Sequence, residues 1–158
     1  MTTRPLNYTT KIAAKRTAGE CLDLLAEAGA HAVSVTYADR VPSGLAFRLD
    51  TAAGRRDFSL PVDVGGVHSL LLKIDREGGW AAGERPVRTR TYTTRAHAVD
   101  VAWRVVRDWL EAQLALIAAQ MATLDQVMLP YLEVDPGTTL YQRYLESTGQ
   151  IALPGGAS

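Results

Sequence analysis

The stretch from Thr94 to Leu129 constrains the fold most, because it reads as one long helix. Thr93 or Thr94 can act as N-cap, since a threonine hydroxyl accepts a bond from an otherwise unpaired N–H of the first turn. Pro130 is the expected stop, because it lacks an N–H and biases the residue before it away from α geometry. At ~1.5 Å per residue such a rod would be roughly 50 Å long. In its first half Asp100, Arg104, Arg107, Asp108 and Glu111 recur at helical spacing as a polar stripe, opposite Ala98, Ala102, Val105, Val106 and Trp109. The second half, Ala112 to Leu124, carries only two glutamines as strongly polar side chains. A helix apolar all round must be buried all round, and this run is short of the ~20 apolar residues that span a bilayer. Two arrangements satisfy it. Another copy of the chain packs there, with Leu114, Ile117, Met121 and Leu124 at a homo-oligomer interface, or residues 131–152 wrap it within one monomer.

The rest of the chain is expected to build the surface this helix packs on. Asn7 to Ile12 reads as a first strand, with Tyr8, Thr10 and Ile12 on one face. Thr17 and Glu20 fit a capping box for a helix over residues 18–28, closed by Gly29. Three alternating runs follow. Val33, Val35 and Tyr37, then Leu45, Phe47 and Leu49, then Phe58, Leu60 and Val62 point one way, with turns at residues 39–44 and 52–55. Asp63 is a candidate N-cap for a second helix ending at Gly78-Gly79, and Thr139 to Ser147 reads as a last short helix. The expectation is an α+β chain, with an antiparallel β-α-β-β-β sheet carrying a helix on one face, then the long helix. It is read as one domain over residues 1–152: sheet and helix (7–62), helix and basic loop (63–92), long helix (94–129) and carboxyl tail (131–152). Residues 153–158 are read as a frayed tail.

Charge narrows the function classes. The 17 basic and 17 acidic residues cancel, which argues against a generic nucleic-acid coat or a polybasic membrane binder. The balance is segregated, however. Seven arginines and three acids lie between Arg76 and Arg107, whereas six acids and only Arg143 follow from Asp108 onward. The single cysteine, Cys21, sits beside Leu22, Leu24 and Leu25 and reads as a small buried apolar residue. With one cysteine no intrachain disulfide can form, and no apolar leader or membrane span is recognised, so the expected compartment is the cytoplasm.

Catalytic patterns are missing from the sequence. His31, His68 and His97 stand in separate elements, and no metal-binding pair, P-loop or nucleophile elbow occurs. The chain is therefore expected not to be an enzyme, and no cofactor is implied. The best candidate for binding is the basic loop together with the first turns of the long helix. Arg88, Arg90 and Arg95 supply charge, with Arg104 and Arg107 further along the helix. Thr89, Thr91, Thr93 and Thr94 supply hydroxyls, and Trp80, Tyr92 and Trp103 supply flat faces. Free N–H groups at a helix start favour an anion, and arginine recognises phosphate bidentately. Arg48, on the polar sheet face, either lines a site or pairs across strands with a residue such as Asp57. These features suit a small phosphorylated nucleotide or, alternatively, single-stranded nucleic acid. A protein-binding inhibitor or scaffold using the long helix is a further alternative.

Asn7-Tyr8-Thr9-Thr10, Ala46-Phe47-Arg48-Leu49 with Phe58-Ser59-Leu60-Pro61, the helical run from Ala102 to Gln113, and Leu129-Pro130-Tyr131-Leu132 carry a likeness. Together they resemble a family of small phage- and prophage-encoded proteins. That family is similar in size and layout to the anti-Thoeris sponge proteins, phage anti-defence proteins that bind cyclic ADP-ribose-type signals at subunit interfaces. The resemblance implies a homo-oligomeric, non-enzymatic nucleotide-binding protein. The basic stretch usual before the long helix is interrupted here by Gly78-Gly79 and Ala81-Ala82-Gly83.

Overall fold

The structure, a computed structural model, describes residues 6–80 and 92–148. Its elements in chain order are α1 (Ala14–Glu27), β1 (Ala32–Ala38), β2 (Val41–Thr51), β3 (Gly54–Pro61), α2 (Val64–Arg76), α3 (Arg95–Ala118), α4 (Leu124–Met128), a 3₁₀ turn (Leu129–Tyr131), β4 (Glu133–Asp135), β5 (Thr138–Thr139) and α5 (Leu140–Ser147). This is an α+β fold built on a three-stranded antiparallel sheet in the order β1-β2-β3.

The alternating runs set the sheet register. Leu45 lies opposite Leu60, Phe47 opposite Phe58 and Arg48 opposite Asp57. The Phe47 and Phe58 rings stack at 5.4 Å, and Leu45, Phe47, Leu49, Phe58, Leu60 and Val62 are all buried. The first hairpin is tighter than residues 39–44 suggest. Ala38 pairs with Val41, and Asp39 and Arg40 both hold positive φ, the requirement of a two-residue primed turn. Strand β2 therefore begins at Val41 and carries Pro42, with Ser43 as the extra residue where the register shifts. Gly44 is needed there, since a Cβ would lie 2.9 Å from both the Leu60 carbonyl and Thr36 Oγ1.

Helices cover the apolar face. α1 touches β1 and β2, and α3 packs against both α1 and α2. Trp103, Leu25, Leu71, Ile74, Leu110 and Met128 are fully buried or nearly so. The expected stop signals of α1 and α2 are present. Gly29 and Gly78 have positive φ, and Ala30 and Gly79 donate back to Leu25 and Ile74 in the six-residue closing bond of a glycine C-cap. Asp63 caps α2 by accepting from Gly66 N–H at 2.9 Å.

Four expectations are corrected. Asn7 to Ile12 is a turn and not a strand: Asn7 has φ +61, and the segment spends its polar groups on α3. Asn7 Nδ2 donates to Asp108 Oδ2 at 2.7 Å and the Tyr8 carbonyl accepts from His97 Nε2 at 2.6 Å, so the sheet loses its anticipated first strand. Helix α1 starts at Ala14, without a capping box. Thr17 is buried with no hydrogen-bond partner for Oγ1, Glu20 faces α3, and the cap comes from Asp100, whose Oδ1 accepts from Ala14 N–H at 2.7 Å. The long helix ends at Ala118, twelve residues before Pro130. Gln120 takes positive φ, Met121 N–H donates to the Leu116 carbonyl at 2.9 Å, and Thr123 with Gln126 then starts α4 through a capping box. Helix α3 is thus about 36 Å long. The chain folds back so that Met128 is fully buried and Tyr131 meets Trp109 edge-on at 5.5 Å. Last, Trp109, on the apolar face of the helix, packs against the core but is only partly buried, while Trp103, offered as a flat binding face, is 0% exposed.

Candidate ligand-binding site

Two helices begin beside the β1–β2 hairpin. Asp63 starts α2, and Thr94 starts α3 by accepting from His97 N–H at 3.1 Å. Between them lies a cavity of about 300 Å³, lined by Ala38, Asp39, Val41, Pro42, Ser43, Val62, Asp63, Val64, Gly65, Arg95 and Val99. Its size falls at the lower end of the ~300–1,000 Å³ of small-molecule sites. The first turns of both helices supply positive partial charge from N–H groups that lack intrahelical partners. Arg95, exposed at the first position of α3, has no acidic partner among the described residues. Two carboxylates share the lining. Asp63 is engaged with the α2 backbone, and Asp39 sits in the hairpin turn.

The remaining candidate residues are dispersed. Arg104 and Arg107 lie in the seam between α1 and α3, with side chains only 15% and 21% exposed. Arg104 Nη1 donates to Glu20 Oε2 at 2.7 Å. Arg107 Nε lies 3.2 Å from the same oxygen as an ion pair, without the alignment of a hydrogen bond, and its Nη1 reaches Asp108 and Glu111. The α3 polar stripe is therefore an internal strut. Cys21, beneath this seam, is 0% exposed, and burial raises its pKa from 9.0 to about 11 although Arg107 pulls the other way.

Arg48 pairs with Asp57 through bonds of 2.6 and 3.0 Å on the outer sheet face. That hydrogen bond holds the Asp57 carboxyl below its ordinary range, and the pair borders a groove of about 370 Å³ that also takes in Glu133. Trp103 presents no ring face to solvent; its indole N–H donates to the Pro42 carbonyl at 3.0 Å. Tyr92 belongs to an aromatic cluster. Its ring lies 5.3 Å from Trp80, 6.0 Å from Tyr8 and 5.2 Å from His97. Trp80 and Tyr92 bracket the basic segment, and Arg88 and Arg90, with Thr89 and Thr91, lie outside the described residues.

Of the anticipated interface residues, Leu114 and Leu124 pack against the chain's own core, Ile117 is half-buried, and Met121 is 74% exposed. Residues 124–132 fold back within the same chain to bury Met128 and set Tyr131 against Trp109. The sequence reading missed Asp39, Ser43 and Asp63 as cavity residues. They come from a turn, a bulge and, twenty residues further on, a helix cap, so no spacing motif marks them.

Among the described residues, no group of three or more His, Cys, Asp or Glu side chains is placed to hold a metal ion. Among the same residues, no helix is long and apolar enough to cross a membrane. The three histidines are engaged separately, His31 with Asp50, His68 with the Thr93 carbonyl and His97 with the Tyr8 carbonyl. No protein-family model, curated protein or solved structure gives a significant match to the chain.

Proposed function

We propose that this chain is a non-enzymatic, phage-type binding protein of the host cytoplasm. It sequesters a small phosphorylated nucleotide signal, cyclic ADP-ribose-like or a cyclic oligonucleotide, and so counters bacterial immune signalling. The observation that carries the reading is Arg95, a guanidinium with no carboxylate partner among the described residues, at a cavity where two helices begin. A phosphate there would meet charge and unpaired N–H groups together. The resemblance of the Asn7–Thr10, sheet and α3 patches to phage proteins similar to anti-Thoeris sponges supports the same ligand class. The nucleic-acid alternative is less favoured, because Arg48, Arg104 and Arg107 already hold carboxylates and contribute little to a basic groove.

The proposal includes self-association, for which half-buried Ile117 at the end of α3 and exposed Met121 just beyond it remain. Native mass spectrometry of protein purified from cells making nucleotide signals tests both parts. An oligomer carrying a nucleotide-sized adduct is expected. If instead affinity grew with strand length and fell steeply with salt, the signature of a nucleic-acid groove, the sponge reading would be wrong.

A further inference from the structure

The sheet has two edges, and the chain closes one of them. Leu132 bridges to β3 at Phe58 from outside, and β4 touches the same strand. Among the described residues nothing pairs with the outer edge of β1, whose strand neighbour is β2. An open edge presents a row of unpaired N–H and C=O groups, which natural sheets blunt with a lysine, a proline or a bulge in the edge strand. β1 has none of these. Ala32 to Ala38 reads AVSVTYA, without a charge or a proline, and the extra residue at the register shift, Ser43, belongs to β2. The core-facing side chains of β1 are incompletely covered. Val33 and Val35, opposite Phe47 and Leu45, are half-buried, and Tyr37 is 61% exposed.

We infer that the outer edge of β1 pairs antiparallel with β1 of a second copy about a twofold axis, so that two three-stranded sheets become one. The open groups are backbone donors and acceptors in an extended row, and the occupant that satisfies them is a strand. The sequence of β1 selects its own copy. A twofold centred on Val35 is the one register that pairs the whole of Ala32–Ala38 with itself, and it keeps both core faces on the same side. Val33 then faces Tyr37, Val35 faces its counterpart and Ser34 faces Thr36. Every apolar side chain meets an apolar one and every hydroxyl a hydroxyl, the pairing that stabilises a sheet. Val33 thereby gains cover from the Tyr37 that the single chain leaves in water. Charge agrees at the ends. His31 with Asp50 and Arg55 lies at one, Asp39 and Arg40 at the other, so both signs are present wherever the two copies meet. Strands of this length exchange about six to eight N–H···O bonds, and the contact therefore needs no large apolar patch. The inference rests on the self-association part of the proposed function and deepens it, placing the contact at β1 instead of the end of α3. It does not depend on the nucleotide.

Sedimentation over a dilution series tests it. The wild type is expected to dimerise. The double variant Ser34→Lys, Thr36→Lys should dimerise at least about tenfold more weakly, because the register sets lysine against lysine on the outer face. The double variant Ser34→Lys, Thr36→Glu should return to the wild-type affinity, because the same register sets each lysine against a glutamate of the other copy. Met121→Glu should match the wild type. Ser34 and Thr36 are exposed, so thermal melts should be retained. Should the lysine pair misfold, Val35→Cys answers the same question. Its thiol meets its counterpart on the axis and Cys21 is buried, so mild oxidation should link two chains. A wild-type monomer overturns both this edge and the α3 contact. A dimer lost with Met121→Glu but kept by the lysine pair overturns this edge alone, as does a Val35→Cys chain that does not cross-link. Equal weakening in the two double variants overturns the register and the pairing with it.

Discussion

The first turn and the middle of α3 both carry arginines, and the two sets differ in everything but residue type. Arg104 and Arg107 are mostly buried and tied to Glu20 on α1, with Asp108 and Glu111 completing the set. Arg95, nine residues before Arg104, is exposed at a cavity rim without an acidic partner among the described residues. A guanidinium already satisfied by carboxylates would have to break those bonds to take a phosphate, whereas a free one gains. Position along one helix therefore separates arginines that hold the fold from one that is exposed without an acidic partner among the described residues.

Substitutions along α3 sharpen or break that contrast, and the largest effect belongs to the buried middle. Trp103→Ala should cost about 3–5 kcal/mol in chemical denaturation; a cost near zero would mean that the middle of α3 is not core. Cys21 reports on the space beneath the seam. Its folded pKa, about 11, is raised above 9.0, so its contribution is fully present below pH 9 and is lost as pH rises through about 11. Wild-type stability should fall across that window relative to Cys21→Ala, and the native thiol should resist thiol reagents at neutral pH.

Arg104→Ala should cost about 2 kcal/mol, because Glu20 is left partly buried with a weakened set of partners. Asp100→Ala should cost about 1 kcal/mol, the value of a lost helix cap, and hydrogen exchange should show the loss at the first turn of α1. The smallest effect on stability is at Arg95, where replacement by alanine should stay within about 0.5 kcal/mol. A large destabilisation there would erase the distinction between the two sets.

How far the sequence alone reaches follows the same division. The β2 and β3 strands, α2 with its Asp63 cap, and α5 behind Thr139 were legible because their signals are local: period-two alternation, a cap, a glycine. What escaped depends on distant partners. Asn7 to Ile12 has strand propensity, but Asp108 and His97 claim its polar groups from about a hundred residues away. The cap of α1 is Asp100, and no rule about the residues just before a helix could find it. The break after Ala118 lies at Gln120, not at a glycine, and only the Thr123–Gln126 pair marked it. For the site, Arg48 opposite Asp57 followed from strand register. The separation of Arg95 from Arg104 and Arg107 required knowing that Glu20 would face α3.

Calorimetric titration of a cyclic ADP-ribose-type nucleotide, and separately of a cyclic dinucleotide, into the wild-type chain and Arg95→Ala tests the account most directly. Saturable binding of at least one of them by the wild type, weakened about tenfold or more in Arg95→Ala at unchanged stability, is the predicted result; an exposed charge-assisted contact is worth about that much. Binding that is indifferent to Arg95, or no binding of either ligand, would contradict it.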